Sequence, residues 1–160
     1  MKDIEEVKNY TESYKIFNEP LSGKTYYGGS KDAFVGKVEN LTRAIDASSY
    51  NFDCYVYHRT ADLILGGGVV LSNNTPVSEL SKYVGQTFKY NSFYSAGAAK
   101  GTGYGNDNVI MHTFCPKGTK MLYVRPVSSY KAENEMIIQR GYTMQIKKMY
   151  YMASKMVQSD

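Results

Sequence analysis

Glu133-Asn134-Glu135-Met136-Ile137-Ile138 opens on alternating acid and polar residues and ends in an apolar run, the pattern of a half-buried strand. In an extended chain, residues two apart share a face. The spacing therefore predicts Glu133 and Glu135 on one side, with Met136 and Ile138 packing on the other. Two residues of rise separate the two Cα atoms by about 6.5–7 Å. At an effective dielectric of about 20, that gap gives roughly 2.4 kcal/mol of repulsion. Such repulsion can raise the pKa of one carboxyl by up to about 1.7. Two carboxylates so placed suit a glycosidic centre, one stabilising an oxocarbenium-like sugar and the other handling a proton. For a bare Glu-x-Glu the polar face of a half-exposed strand is the stronger reading, so its surroundings must decide.

Outward from this stretch the C-terminal half reads as β throughout. Further strands are predicted over residues 109–114, 121–124 and 142–149, with Pro116-Lys117-Gly118-Thr119 as the turn between the first two. The N-terminal half reads differently. Ile4, Val7, Tyr10, Tyr14 and Phe17 recur at helical spacing, predicting a helix over 3–18 that stops at Glu19-Pro20. A second helix is predicted over 32–47, with Phe34, Val38, Leu41 and Ile45 on one face. A strand over 54–59 follows, then a glycine-rich stretch (60–75) readable as a hairpin or a loop. A short helix over 76–84, a strand over 87–94 and a long Gly/Ala-rich loop over 96–108 complete the pattern. Helices first and short strands afterwards predict an α+β domain. No repeat or linker interrupts the chain, so residues 1–160 read as a single domain.

Composition narrows the function classes. The 160 residues are 42% hydrophobic and 21% charged, ordinary for a soluble globular protein. No stretch approaches the roughly 20 apolar residues of a membrane span. The opening Met1-Lys2-Asp3-Ile4-Glu5-Glu6 lacks the apolar core of a signal peptide. A net charge of +4 without a Lys/Arg stripe argues against nucleic acid as a partner. The 16 tyrosines and absent tryptophan suit either half-buried packing or stacking on a nucleotide. Cys54 and Cys115 form no CxxC or ligand spacing; two reduced, buried thiols are expected, with a single disulfide left open.

Several motifs fail. Ser22-Gly23-Lys24-Thr25 ends like a P-loop, but Asn18 stands where the first glycine is needed. Gly101-Thr102-Gly103-Tyr104-Gly105 is not a dinucleotide fingerprint. His58 and His112 have no ligand neighbours at metal spacing, so both read as structural and no metal is expected.

Taken together, the motifs resemble the mono-ADP-ribosyltransferases of the Arg-Ser-Glu class, which includes bacterial toxins and related phage enzymes. Tyr10-Thr11, Tyr14, Asn18 and Leu21 resemble the family's opening helix. Val56-Tyr57-His58-Arg59 resembles its first motif, although His58 separates the aromatic from the arginine and Thr60 replaces the usual Gly. Phe93-Tyr94-Ser95-Ala96-Gly97 resembles the second motif, usually Ser-Thr-Ser, of which only the first Ser remains. Pro116-Lys117-Gly118-Thr119-Lys120 matches the turn before the next strand. Ser128 through Glu133-Asn134-Glu135 to Arg140-Gly141 matches the third.

The resemblance implies a fold of two packed, mostly antiparallel sheets with N-terminal helices, and NAD as the cofactor consumed. Arg59 would hold the NAD pyrophosphate, for which a planar guanidinium fork is suited. Ser95 would hydrogen-bond Glu135 and hold it under the ribose. Glu135 would bind the nicotinamide-ribose hydroxyl and stabilise the developing positive charge. Glu133 would bind the acceptor guanidinium and assist its deprotonation. Glu at this position goes with arginine acceptors in the family, so a target protein with an acceptor arginine is expected. Tyr130, just before, is expected to help dock it, and Tyr104 to stack on the cofactor. The other outcomes are an NAD glycohydrolase and a non-catalytic module that kept the fold. The chain is short for the family, and reads as a catalytic core without a delivery domain.

Overall fold

The computed structural model describes residues 2–21, 31–60, 62–66, 69–72, 74–98, 109–128 and 134–150. Two helices open the chain, α1 (Lys2–Leu21) and α2 (Lys31–Asp46). Their predicted apolar faces meet: Val7, Tyr10 and Phe17 pack with Val38, Leu41 and Ile45 in one cluster. Ile4, one turn earlier on the same face, is 62% exposed and takes no part. α1 runs past the predicted stop because it bends at Ser13 (φ −146, ψ 51) and resumes through Pro20. Just before the bend the Thr11 hydroxyl donates to the Lys8 carbonyl (2.7 Å), a back-bond that loosens a helix. Beyond it, the Asn18 carbonyl accepts from the Ser92 hydroxyl (3.1 Å), a partner outside the helix.

The main sheet is antiparallel and five-stranded. Its strands are β1 (Cys54–Thr60), β5 (Tyr94–Gly97), β6 (Val109–Cys115), β7 (Met121–Tyr123) and β8 (Glu135–Ile138), in the order β6-β1-β5-β8-β7. The register pairs Ser95 with Ile137 and Gly97 with Glu135, while Tyr57 of β1 opposes Gly97 from the other side. Opposed residues in an antiparallel pair share a face. One face therefore carries Leu122, Ile137, Glu135, Ser95, Gly97, Tyr57 and Arg59, and its β5–β8–β7 end lies under the helices. The reverse face carries Val56, Tyr94, Ala96, Met136 and Ile138 in a second core. β8 is thus buried on both sides, which is why Met136, Ile137 and Ile138 are all apolar.

Behind that second core lie two short antiparallel ladders. β2 (Leu63–Gly66) pairs with β3 (Val69–Leu71), so the glycine-rich stretch is a hairpin; β4 (Thr87–Tyr90) pairs with β9 (Tyr142–Gln145). Leu63, Leu71, Phe88 and Ile146 join them in a shared cluster. A 3₁₀ helix (Val77–Tyr83) stands where the short helix is predicted. The architecture is α+β, as expected.

Other boundaries also differ from the sequence reading, and the strand predicted over 142–149 ends at Gln145. The single strand predicted over 87–94 is two strands in different layers. Asn91-Ser92, turn formers inside the run, carry the chain from β4 to β5. The predicted loop at 96 starts later, because Ala96 and Gly97 still pair in β5. The strand predicted from Glu133 begins only at Glu135, because Asn134 is left-handed (φ +46). The same-face rule for Glu133 and Glu135 requires an extended residue between them, so that argument does not hold. Glu133 itself lies outside the described residues.

Asn tolerates this conformation better than other side-chain-bearing residues. Its Oδ1 also accepts from the Tyr123 hydroxyl (3.1 Å). Asn134→Val is expected to cost about 1–2 kcal/mol, a fall of about 2–8 °C in melting temperature for a chain of this size. Asn134→Gly relieves the strain but gives up the Tyr123 bond, and should stay within about 1 kcal/mol of wild type. Calorimetry on the two variants distinguishes them.

Cys54 and Cys115 oppose one another across β1 and β6 as free thiols, Cys115 buried and Cys54 only half-buried. Burial pushes the Cys115 thiol up to about 12, and Cys54 beside it adds to the push. The thiolate is the reactive form, so raising the pKa suppresses it at neutral pH. At pH 8, iodoacetamide should label Cys115 at least about a hundredfold more slowly in the folded protein than in urea. Intact-mass time courses check this.

Candidate active site

Strand β5 supplies the centre of the site. Phe93, immediately before it, is fully buried and makes edge-to-face contacts with Tyr10 (5.7 Å) and Phe17 (6.4 Å) of α1. Burying such a ring contributes about 1.5–3 kcal/mol. The backbone of Phe93 is fixed by one side chain: Asn18 Oδ1 accepts from its N–H (3.0 Å), and Asn18 Nδ2 donates to its carbonyl (3.2 Å). Two residues on, Ser95 is held from both faces of the sheet. On the helix side its hydroxyl is hydrogen-bonded to the Tyr10 hydroxyl. On the reverse side His58 Nδ1 donates to its carbonyl, with the His58 ring lying over Tyr94 (4.5 Å between centroids). His58 is structural, as expected, and its role is to lock the backbone of Ser95.

Glu135 is the diagonal neighbour of Ser95 on the same face, through the pairings Ser95–Ile137 and Gly97–Glu135. It is only 8% exposed. A carboxylate so buried is held ionised only by polar partners. Between Glu135 and Tyr57 the sheet carries Gly97, which places no side chain there. Arg59 follows two residues after Tyr57 on β1, on this same face, and is half-buried. One face of the sheet thus presents a guanidinium, a serine hydroxyl and a buried carboxylate on three adjacent strands. The Tyr10 phenol beneath them is raised above its ordinary range by burial. The Ser95 and Asn18 hydrogen bonds pull the other way, and the Glu135 charge adds to the rise. It therefore stays protonated at any working pH.

The arrangement can bind an anion through Arg59 and stabilise a developing cation through Glu135. No group of three His, Cys, Asp or Glu among the described residues could hold a metal ion. An open groove lined by Val77, Leu80, Val84 and Met149 involves none of these residues.

The model of the ADP-ribosyltransferase exoenzyme family matches residues 1–159. The chain belongs to that family. NAD is the family's substrate. The NAD(+)–arginine ADP-ribosyltransferase EFV of Enterococcus faecalis is 26% identical over 152 residues, covering 91% of this chain. The chain spans only 29% of that relative's length. Three solved structures share the fold. Plx2a, an ADP-ribosyltransferase toxin from Paenibacillus larvae, has a TM-score of 0.74 at 22% identity, over 88% of this chain and 73% of its own. The Clostridium limosum C3 exoenzyme reaches 0.77 at 18% identity, over 98% and 81%. C3stau2 from S. aureus, solved with NAD, reaches 0.74 at 19% identity, over 91% and 78%.

Of the residues singled out in the sequence, Arg59, Ser95 and Glu135 share one face. Tyr104, Tyr130 and Glu133 lie outside the described residues. No helix among the described residues is long and apolar enough to cross a membrane. Sequence reasoning missed Tyr10 and Asn18 as parts of the site. One signal was available: a tyrosine on an otherwise apolar helix face must find a partner for its hydroxyl once buried.

Proposed function

We propose that this exoenzyme-family chain transfers a single ADP-ribose from NAD to an arginine of a target protein, releasing nicotinamide, with residues 1–160 as one catalytic domain. The observation that carries this reading is the buried Glu135 carboxylate, set diagonally from Ser95 on the face that also presents Arg59. Arg59 holds the pyrophosphate through its planar fork. The nicotinamide-ribose hydroxyl donates to Glu135. As the C1–N glycosidic bond breaks, its electron pair leaves with nicotinamide, and Glu135 stabilises the positive charge on the sugar. A guanidino nitrogen then attacks C1 and gives up a proton, which Glu133 accepts. Tyr130 docks the target and Tyr104 stacks on the NAD. The arginine acceptor is supported by the Glu at position 133 and by the activity named for the Enterococcus relative.

The test is nicotinamide release from NAD with and without agmatine, a small guanidino acceptor, beside Glu135→Gln. Release that rises with agmatine and vanishes in the variant supports arginine transfer. Release indifferent to agmatine points to a glycohydrolase or another acceptor. No release at all would sink the catalytic reading and leave a binding module.

A further inference from the structure

The hydrogen bonds around Tyr10 run in one direction. Asn18 Oδ1 accepts from the Phe93 N–H, which fixes the orientation of the amide. Asn18 Nδ2 must therefore donate, and its acceptors are the Tyr10 hydroxyl oxygen (2.9 Å) and the Phe93 carbonyl (3.2 Å). With its oxygen occupied as an acceptor, the Tyr10 hydroxyl has one hydrogen to give. The Phe93 carbonyl is a poor target at 3.5 Å and already receives from Asn18. The Ser95 hydroxyl oxygen is the close one. Donation from Tyr10 to Ser95 is the direction these distances favour, and it leaves the Ser95 hydroxyl hydrogen to point elsewhere.

We propose that Tyr10 is a positioning residue: by donating to the Ser95 hydroxyl, it turns the Ser95 hydrogen along the sheet face toward Glu135. The inference rests on the assignment of Glu135 above. The observed bonds run from the Asn18 amide through the Tyr10 hydroxyl to Ser95, and donation from Ser95 to Glu135 is the step proposed. Such chains polarise their members and strengthen the last bond. The Ser95 carbonyl is pinned by His58, so Ser95 cannot escape the constraint by moving its backbone. Packing alone does not require the phenol oxygen, because Phe at position 10 would keep the ring contacts to Phe17 and Phe93.

The experiment compares wild type, Tyr10→Phe, Ser95→Ala and the double variant, using full-length protein throughout. Tyr10→Phe should lower kcat for nicotinamide release about tenfold, the order expected when one hydrogen bond to a charged group is misdirected. KM for NAD should stay within about twofold, because pyrophosphate binding is untouched. In the Ser95→Ala background the same substitution should change kcat by less than about twofold, since Tyr10 acts through Ser95. A titration of the carboxyl carbon of Glu135 by NMR needs no turnover. It should move to higher pH in Tyr10→Phe, because a hydrogen bond to the ionised form is lost. An unmoved titration, or equal losses in both backgrounds, would overturn the proposal. Absent turnover in wild type would overturn the catalytic reading instead, and the titration would still decide on Tyr10.

Discussion

Glu135→Gln is expected to lower nicotinamide release by about 10²–10⁴, the range for removing one electrostatic or general-base group at the reacting centre. The substitution keeps the shape of the side chain and removes its charge. In the wild-type protein that charge is buried at 8% exposure, where water screens it little. An amide in its place still offers an oxygen to the ribose hydroxyl, so NAD binding should weaken far less than turnover. The loss belongs in kcat, because the sugar becomes positive only as the glycosidic bond breaks. Stability should not fall, since a buried carboxylate carries a desolvation cost that the amide avoids. An unchanged or raised melting temperature beside a collapsed kcat would separate chemistry from folding. A kcat loss below about tenfold would remove Glu135 from its assigned role.

How much of this was legible beforehand depends on the range of the interaction involved. The helices were readable because apolar spacing is local: Val7, Tyr10 and Phe17, and Val38, Leu41 and Ile45, all turn inward as their periodicity predicts. Strand identity was readable from β-branched and aromatic runs such as Cys54–Thr60. Sheet membership was not. Nothing within residues 87–94 announces that Thr87–Tyr90 pairs with β9 while Tyr94 begins a strand paired with β8. That choice is made by partners some 50 residues away in sequence. The left-handed Asn134 was missed because Asn is only one of several residues found at such positions, and its neighbours read as a continuous strand. Tyr10 was missed for a related reason. Its ring fits the local pattern of an apolar face, whereas its hydroxyl is satisfied by Ser95, 85 positions along the chain. Local patterns fix what each segment is; the partners that give a polar atom its function are set by the tertiary fold.

Glu133→Gln should separate the two half-reactions that Glu135→Gln stops together. Transfer to agmatine is expected to fall by about 10² or more, while NAD hydrolysis stays within about tenfold of wild type. The argument is one of charge. A guanidinium has a pKa above about 12 and must shed a proton as it becomes a nucleophile. A carboxylate binds it bidentately and can take that proton. A glutamine offers one acceptor and one pair of donors, repels half of the guanidinium's donor edge, and takes no proton. Water needs no such partner to be held, so the hydrolytic branch survives. In the proposed mechanism glycosidic cleavage depends on Glu135, which β8 holds in the buried sheet, and Asn134, with its φ of +46, stands between the two acids in the sequence. The division of labour therefore predicts a changed product ratio rather than a uniformly slower enzyme. Product analysis with and without agmatine reads it directly. Parallel loss of both reactions would assign Glu133 to cleavage alongside Glu135, and survival of both would remove it from acceptor binding altogether.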